Sequence, residues 1–203
     1  YSMLFLSKRN NIVNKNTDLL IDGYPRSGNT FCYTKFKLLN PQLNIASHRH
    51  EFGHIDYALK SKVPVVVVIR DPIDSISSFV IRERVSIYFA IRYYISFYNK
   101  VFSRIDNIVL LSFKSIILNQ DLGFIHNKDI VFRKINKEEE LVVKEMIFMM
   151  EKSDSGKSNV RYTHLAYPNK ETKEDKKDIR DMICKKYPNL LEKLEYIYNK
   201  LLV

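Results

Sequence analysis

Two short segments of the chain combine basic, hydroxyl and glycine residues in spacings that suit anion binding. The first, residues 22–31, reads Asp-Gly-Tyr-Pro-Arg-Ser-Gly-Asn-Thr-Phe and follows an apolar run. If it links a strand to a helix, its backbone N–H groups point at one anion and the helix N-terminus adds favourable partial charge. Gly23 and Gly28 permit a tight turn and the close approach of an oxyanion. The pattern predicts a phosphate-binding loop, although an ordinary turn with Arg26 in solvent is the alternative.

This loop has nearly the spacing of nucleoside-triphosphate phosphate loops, G-x-x-x-x-G-K-[ST]. The match runs from Gly23 to Thr30, but Asn29 stands where those loops carry lysine. A cationic side chain comes three residues earlier, at Arg26. Because an ATP-dependent enzyme would lack its usual lysine for the β- and γ-phosphates, the difference indicates another anionic ligand.

The second segment, residues 69–78, follows the most apolar run of the chain and reads Ile-Arg-Asp-Pro-Ile-Asp-Ser-Ile-Ser-Ser. Ligands of open α/β sheets collect at the carboxyl ends of strands, which directs Arg70 toward a ligand phosphate. The Asp-Pro pair ends the strand, and a helix is predicted to begin near Asp74. Ser78 follows Arg70 by eight residues, about two helical turns, so its hydroxyl can reach the same phosphate. Alternatively, Arg70 pairs with a neighbouring aspartate and the serines only start the helix.

The elements that must position these segments alternate along the chain. Apolar runs predict strands at 19–22, 43–46, 65–69 and 108–111, of which the third is apolar on both faces. Helical spacing is found at 30–39, 74–104, 138–151 and 174–202, the last interrupted by Pro188. The small, polar stretch 153–159 is typical of a loop. This alternation predicts a three-layer α/β/α fold with a central parallel sheet of about four to five strands.

Together the two segments resemble the cofactor motifs of the PAPS-dependent sulfotransferase family, where PAPS is 3′-phosphoadenosine 5′-phosphosulfate. Residues 25–31 look like its 5′-phosphosulfate loop, P-[KR]-S-G-[TS]-[TS]-[WF], except at Asn29. Arg70 with Ser78 looks like its 3′-phosphate motif, and the resemblance covers roughly residues 18–115. It implies one sulfotransferase domain over residues 1–203 with a P-loop-nucleotide-kinase-like fold. The implied reaction moves a sulfuryl group from PAPS to an acceptor hydroxyl or amine, in line and without a metal.

The resemblance also implies roles for individual residues. Arg26 would contact the bridging and sulfuryl oxygens, which makes it both a catalytic and a cofactor-binding residue. The remaining cofactor-binding positions in the two motifs are Ser27, Gly28, Asn29, Thr30, Phe31, Arg70 and Ser78. Backbone N–H groups of the first loop would hold the 5′-phosphate. Arg70 and Ser78 would recognise the 3′-phosphate.

A general base is expected among the residues after the second strand. Ser47-His48 resembles the Thr-His of the cytosolic branch of the family, whose catalytic histidine lies about twenty residues before the 3′-phosphate arginine. Imidazole titrates near neutral pH and suits the role. His48 is therefore the predicted base, with His50 and Glu51 as alternatives. A metal site at His48, His50 and His54 is disfavoured, since no cysteine or Asp-rich context accompanies them.

Three further segments carry weaker predictions. Lys170 ends a stretch that resembles the family's basic loop over the nucleotide, although a solvated linker is equally compatible. Phe113 stands where the family often has an aromatic near the adenine. The aromatic stripe at 88–102 is typical of core, with part of it a candidate lining for the acceptor pocket. The lysine-rich run 170–177 is predicted to be a solvated helix start.

Composition constrains partners and compartment. The 203 residues suit one domain, and the net charge of +10 predicts an anionic partner. Two cysteines far apart in the chain favour a reducing compartment, so a cytoplasmic location is expected. The absence of a long apolar run predicts no membrane span, and a signal or anchor before Tyr1 is left open. The expected partner besides PAPS is a small-molecule or carbohydrate acceptor, and no nucleic acid. The alternatives are a P-loop kinase-type phosphotransferase and a basic nucleic-acid-binding module.

Overall fold

The computed structural model of the protein describes residues 12–118, 120, 123–125, 130–155 and 172–202. The strands in this part of the chain are β1 (Leu19–Gly23), β2 (Ile45–Ser47), β3 (Val65–Ile69), β4 (Val109–Ser112), β5 (Gly123–Ile125) and β6 (Ile130–Phe132). The helices are α1 (Asn29–Leu39), α2 (Phe52–Lys60), α3 (Pro72–Glu83), α4 (Ile87–Phe102), α5 (Phe113–Ile117), α6 (Lys137–Ser155), α7 (Thr172–Lys186) and α8 (Pro188–Leu202). A 3-10 turn, Ile105–Asn107, precedes β4.

Four of the strands form one parallel sheet in the order β2-β1-β3-β4, and β5 pairs with β6 in a separate antiparallel hairpin. All five residues of β3 are buried, which confirms the predicted central strand. After β2 the chain crosses β1 to reach β3, so the direction of winding reverses between β1 and β3. Ligands of open α/β sheets bind outside the carboxyl ends of the strands at such a reversal.

Helices cover both faces of this sheet, because successive strand residues point to opposite sides. Leu20 and Val67 pack in a buried cluster with α2, α3, α4, α7 and α8. Leu19 and Val66 pack on the other face with α1, α5, α6 and β6. The architecture is therefore the predicted three-layer α/β/α arrangement around four parallel strands.

The predicted single helix over 74–104 is wrong, since two helices occupy this stretch. Arg84 adopts a left-handed backbone (φ 56°) at the C-terminus of α3, which stops helical hydrogen bonding. Ser86 then caps α4 by accepting a hydrogen bond from the Phe89 N–H at 3.2 Å. The helix also begins earlier than predicted, at Pro72, because Asp71 caps it and proline suits its first turn.

Other element boundaries follow or correct the sequence-based expectations. Pro188 separates α7 from α8 as predicted, and it stands at the first position of the new helix. The predicted loop at 153–159 is wrong in its first part, because α6 continues through Ser155. The helix α2 and the β5–β6 hairpin had no sequence-based prediction. None of the helices in the described ranges has the length and apolar character required to cross a lipid bilayer.

Candidate functional site

The loop between β1 and α1 lies at the carboxyl edge of the sheet, where the winding reverses. Gly28 is the N-cap of α1 with a left-handed backbone (φ 99°), and no side chain caps the helix. The first N–H groups of a helix have no partners within it and carry partial positive charge. This end of α1 is therefore suited to an anion. Arg26 also holds a left-handed backbone (φ 65°).

The two loop glycines are required by close packing. A Cβ at Gly23 would lie 2.4 Å from the carbonyl oxygen of Val68 in the neighbouring strand. A Cβ at Gly28 would lie 2.3 Å from the ring of Phe113. A Cβ atom does not approach nonbonded atoms this closely. A larger residue at Gly23 would therefore displace the Val68 backbone, and one at Gly28 would displace the Phe113 ring. Both glycines were predicted to permit a tight turn and the close approach of an oxyanion. Gly28 has the positive φ of such a turn, and the close neighbour of each glycine is a protein atom.

Two side chains of the loop are turned into the protein. The Ser27 hydroxyl is fully buried and lies 3.2 Å from the hydroxyl of Tyr98, which donates to the Val68 carbonyl at 2.8 Å. The Asn29 amide donates to the carbonyls of Tyr24 (3.1 Å) and Gly23 (3.4 Å). Both side chains brace the loop, and the backbone N–H of Ser27 donates to the Tyr24 carbonyl at 3.2 Å. Neither side chain is therefore turned toward a ligand.

The second predicted motif meets the first at the same edge. The Arg26 Nε donates to the Ser78 hydroxyl at 3.0 Å, across 52 residues of sequence. Arg70 donates from a terminal guanidinium nitrogen to the Arg26 carbonyl at 3.3 Å. Arg26 of the first motif therefore contacts both Ser78 and Arg70, the two residues predicted for the second motif. Two cations beside a hydroxyl and a helix N-terminus form an arrangement that a phosphate would neutralise.

Arg70 is held in place from three directions. Its guanidinium carbon lies 4.4 Å from the centre of the Phe113 ring, a cation–π contact. The carboxylate of Asp74 lies 3.5 Å from one terminal nitrogen, and the Tyr94 hydroxyl donates to the Arg70 carbonyl at 3.0 Å. Its buried Nε has no hydrogen-bond partner among the described residues. An unpaired buried donor on a cation is unfavourable, and an anionic ligand would satisfy it.

His48 connects the end of β2 to the phosphate-binding loop. Its Nε2 lies 3.0 Å from the Thr30 hydroxyl, and its Nδ1 lies 2.7 Å from the Ser47 hydroxyl. The backbone of His48 is left-handed (φ 67°). Strained backbone at non-glycine residues is concentrated at functional sites. The imidazole is half-buried and directly adjoins the loop.

His50 belongs instead to a buried ionic cluster around Asp22. The fully buried Asp22 carboxylate accepts from the N–H groups of Gly23 and His50, and both His50 (3.3 Å) and His54 (3.7 Å) lie beside it through Nδ1. Burial alone would raise the pKa of Asp22. The interactions of its carboxylate with His50, His54 and the Gly23 N–H outweigh burial and lower this pKa to about 2. Burial likewise favours a lower pKa for His50, yet its hydrogen bond and charge interaction with Asp22 raise it.

The remaining predicted residues are placed away from this centre or lie outside the described ranges. Glu51 is exposed, and its carboxylate lies 3.7 Å from Arg49. The side chain of Phe31 packs in the apolar clusters on the far face of the sheet. Lys170 lies outside the described residues. Within the described ranges, no three His, Cys, Asp or Glu side chains are grouped as metal ligands.

Sequence reasoning missed several residues that hold the site together. Tyr94 and Tyr98 were assigned to core, and their rings are buried. The Tyr98 hydroxyl also contacts Ser27 of the first motif, and the Tyr94 hydroxyl donates to the Arg70 carbonyl of the second. Asp22 was placed at the end of a strand and the start of the first motif, and no role was predicted for its carboxylate. Lys176 was assigned to a solvated helix start, yet it is half-buried and lies one turn before the buried Ile179 of α7. The three-residue spacing of Lys176 and Ile179 in a predicted helix was the sequence signal that could have indicated a half-buried Lys176.

By sequence, no family profile and no curated protein matches this chain. By structure, the chain is similar to the mouse sulfotransferase SULT7A1, solved in complex with PAP, with a TM-score of 0.50 and 10% sequence identity. The match covers 98% of this chain and 94% of that chain. At this identity the similarity concerns the fold, which is a P-loop-like, sulfotransferase-like α/β fold. The predicted fold class is thereby confirmed.

Proposed function

We propose that this protein is a PAPS-dependent sulfotransferase, a single domain over residues 1–203. The observation that carries the proposal is the convergence of Arg26, Arg70 and Ser78 beside the uncapped N-terminus of α1. Two separate anion-binding groups at neighbouring strand ends suit a nucleotide with phosphates at both its 5′ and 3′ positions. The sulfotransferase-like fold supports the same conclusion.

The residues at this edge fit PAPS in their chemistry. Backbone N–H groups of residues 28–30 and the Arg26 guanidinium would hold the 5′-phosphosulfate, and Arg70 with Ser78 would hold the 3′-phosphate. The predicted contribution of the Ser27 N–H is not proposed, because that group donates to the Tyr24 carbonyl. The unpaired Nε of Arg70 is a donor of the kind that such a phosphate would satisfy. When bound, PAPS supplies the activated sulfuryl group. Charge that develops on the transferred and leaving oxygens would be stabilised by Arg26 and the loop amides, so no metal is required for this task.

His48 is the proposed general base that takes the proton of the acceptor hydroxyl or amine. It adjoins the phosphate-binding loop through Thr30, and its Nδ1 is oriented by Ser47. His50 is less suited, because its Nδ1 lies 2.8 Å from the Gly23 carbonyl oxygen and 3.3 Å from the buried Asp22 carboxylate, which engage it in the ionic cluster rather than at the loop between β1 and α1. Glu51 is exposed and paired with Arg49.

The acceptor is proposed to be a small molecule or carbohydrate, and nucleic acid is not proposed as a partner. Cytoplasmic location stays a prediction from the two cysteines. The kinase alternative has less support, because Asn29 occupies the lysine position of a triphosphate loop and its amide is used inside the loop. The nucleic-acid alternative gives no reason for Arg26 to contact both Ser78 and Arg70 beside the N-terminus of α1.

Ligand-dependent thermal stability tests the proposal against the kinase alternative. A ligand that binds the folded state raises the melting temperature with its concentration. We expect adenosine 3′,5′-bisphosphate (PAP) at about 100 times its Kd to add about 3 kcal/mol of apparent stability, and ATP with Mg²⁺ at equal concentration to add much less. Stronger stabilisation by ATP with Mg²⁺ would refute the sulfotransferase assignment. A panel of hydroxyl and amine acceptors with labelled PAPS would then identify the acceptor class.

A further inference from the structure

We propose that Lys176 of α7 is a third cation of the 3′-phosphate subsite, acting with Arg70 to distinguish a 3′-phosphorylated nucleotide from one without that phosphate. This inference rests on the proposed function and extends its binding site to a helix that neither motif contains. Lys176 follows Arg70 by more than one hundred residues of sequence. It reaches the site only because α7 packs against α3, the helix that carries Ser78.

The packing of α7 directs Lys176 toward the site. Ile179 and Ile183 are buried in the cluster that also contains Ile76 and Phe79 of α3. Lys176 lies three residues before Ile179, on the same side of the helix. It is half-buried, whereas the neighbouring Lys177 is exposed. The stem of Lys176 thus continues the buried stripe that packs on α3.

The charges around Lys176 are those of the candidate site. Burial lowers its pKa most, and the positive charge of Arg70 lowers it further; Asp74 opposes this and Arg26 adds to it. Three cations therefore share this region with the Asp74 carboxylate, which already lies 3.5 Å from Arg70. Mutual repulsion of half-buried cations is unfavourable, and an added dianionic phosphate would relieve it.

The surroundings of Lys176 favour the 3′-phosphate over the 5′-phosphosulfate. The side of α7 that holds Lys176 packs on α3, and α3 carries Ser78 of the second motif. The proposed ligand of that motif is the 3′-phosphate. Asp74, on the first turn of α3, lies 3.5 Å from Arg70. A bound 3′-phosphate would add negative charge beside this pair.

Calorimetric binding of two nucleotides to purified full-length variants tests this proposal. PAP carries the 3′-phosphate, and adenosine 5′-monophosphate (AMP) lacks it. We expect Lys176→Ala to weaken PAP binding about tenfold, the loss of one charge-assisted contact, and to leave AMP binding unchanged. Lys177→Ala is the matched control and should leave both affinities unchanged. Lys176→Met keeps the apolar stem and should show the same selective loss if α7 remains packed.

The outcomes separate failure of this proposal from failure of the proposed function. Arg70→Ala is the positive control, and it should also lose PAP affinity selectively. If wild-type protein binds PAP but Lys176→Ala and Lys177→Ala bind it equally well, the role of Lys176 is refuted and the function stands. Equal losses for PAP and AMP in the Lys176 variants would refute the assignment to the 3′-phosphate. If wild-type protein does not bind PAP, the proposed function and this inference both fail.

Discussion

Three residues of the candidate site, Arg26, His48 and His50, hold left-handed backbone conformations. For residues with a Cβ this conformation costs about 1–2 kcal/mol each. The cost is offset by contacts that these bends allow, such as Arg26 with Ser78 and His48 with Thr30. Two of the strained positions, Arg26 and His48, thus coincide with side chains to which we assign binding and catalysis, whereas His50 belongs to the Asp22 cluster. Lys62 also has a left-handed backbone, but it lies in a turn after α2 and has no assigned role in binding or catalysis.

Replacement of His48 tests the assignment of the general base. We expect His48→Ala to bind PAP within about twofold of wild type and to lower kcat about 10²- to 10⁴-fold, because proton removal from the acceptor loses its catalyst. Steady-state kinetics and calorimetry measure the two effects separately. Glu51→Gln is the control at the exposed alternative base, and it should retain the kcat of wild type. Loss of rate in Glu51→Gln with full rate in His48→Ala would move the base to the carboxylate.

At the scale of elements, α4 connects the two motifs that the site requires. Tyr94 and Tyr98 lie one turn apart on this helix and are buried against the sheet. Tyr94 holds the carbonyl of Arg70, and Tyr98 lies between the Val68 carbonyl and the Ser27 hydroxyl. Burial raises the pKa of both phenols, so they remain protonated donors at any physiological pH. The helix therefore sets the distance between the two anion-binding groups.

Removal of one hydroxyl tests this bracing role. We expect Tyr98→Phe to lower the free energy of unfolding by about 1–3 kcal/mol, because the Val68 carbonyl and the Ser27 hydroxyl lose a buried partner. PAP and AMP affinities should fall together, since the loop of the 5′-phosphosulfate is the one affected. Denaturant unfolding and calorimetry provide the measurements. Tyr88→Phe, on the exposed face of the same helix, should change neither quantity; an equal effect there would contradict the argument.

At the scale of the whole molecule, Asp22 and His50 couple stability to pH. The pKa of Asp22 falls from 3.8 to about 2 on folding, so its contribution is present above about pH 4 and is lost as pH falls toward 2. The pKa of His50 rises above 6.5, so the charged imidazole stabilises the fold below that pH. Its contribution is lost as pH rises through the raised value. The stabilisation of the fold by the Asp22–His50 pair is therefore largest above about pH 4 and below the raised pKa of His50.

Unfolding experiments at several pH values test this coupling. Wild type should exceed Asp22→Asn in free energy of unfolding most clearly between about pH 4 and 6.5, by about 2 kcal/mol. The difference should decrease in more acidic and in more alkaline solution. Asp56→Asn is the control, since the carboxylate it removes makes surface ion pairs with Lys60 and Arg104, which contribute little. A wild-type advantage over Asp22→Asn that stays constant from pH 3 to 9 would contradict the coupling.

Local patterns in the sequence sufficed for much of this molecule. The run 65–69 predicted the central strand, because uninterrupted β-branched residues suit a strand buried on both faces. The spacing of Gly23, Gly28 and Arg26 predicted an anion-binding loop, since strand, turn and helix N-terminus are contiguous. The break at Arg84 was not predictable from helical spacing, because apolar residues recur with the same period on both sides of it.

The four parallel strands and the positions of the two motifs were predictable from the sequence, because each strand and each motif consists of residues adjacent in the chain. Which side chains meet depends on the tertiary structure, as for Arg26 with Ser78 and Ser27 with Tyr98. These contacts join residues 52 or more positions apart. Their geometry depends on how helices pack on the sheet, and that packing is a property of the whole core rather than of any one segment.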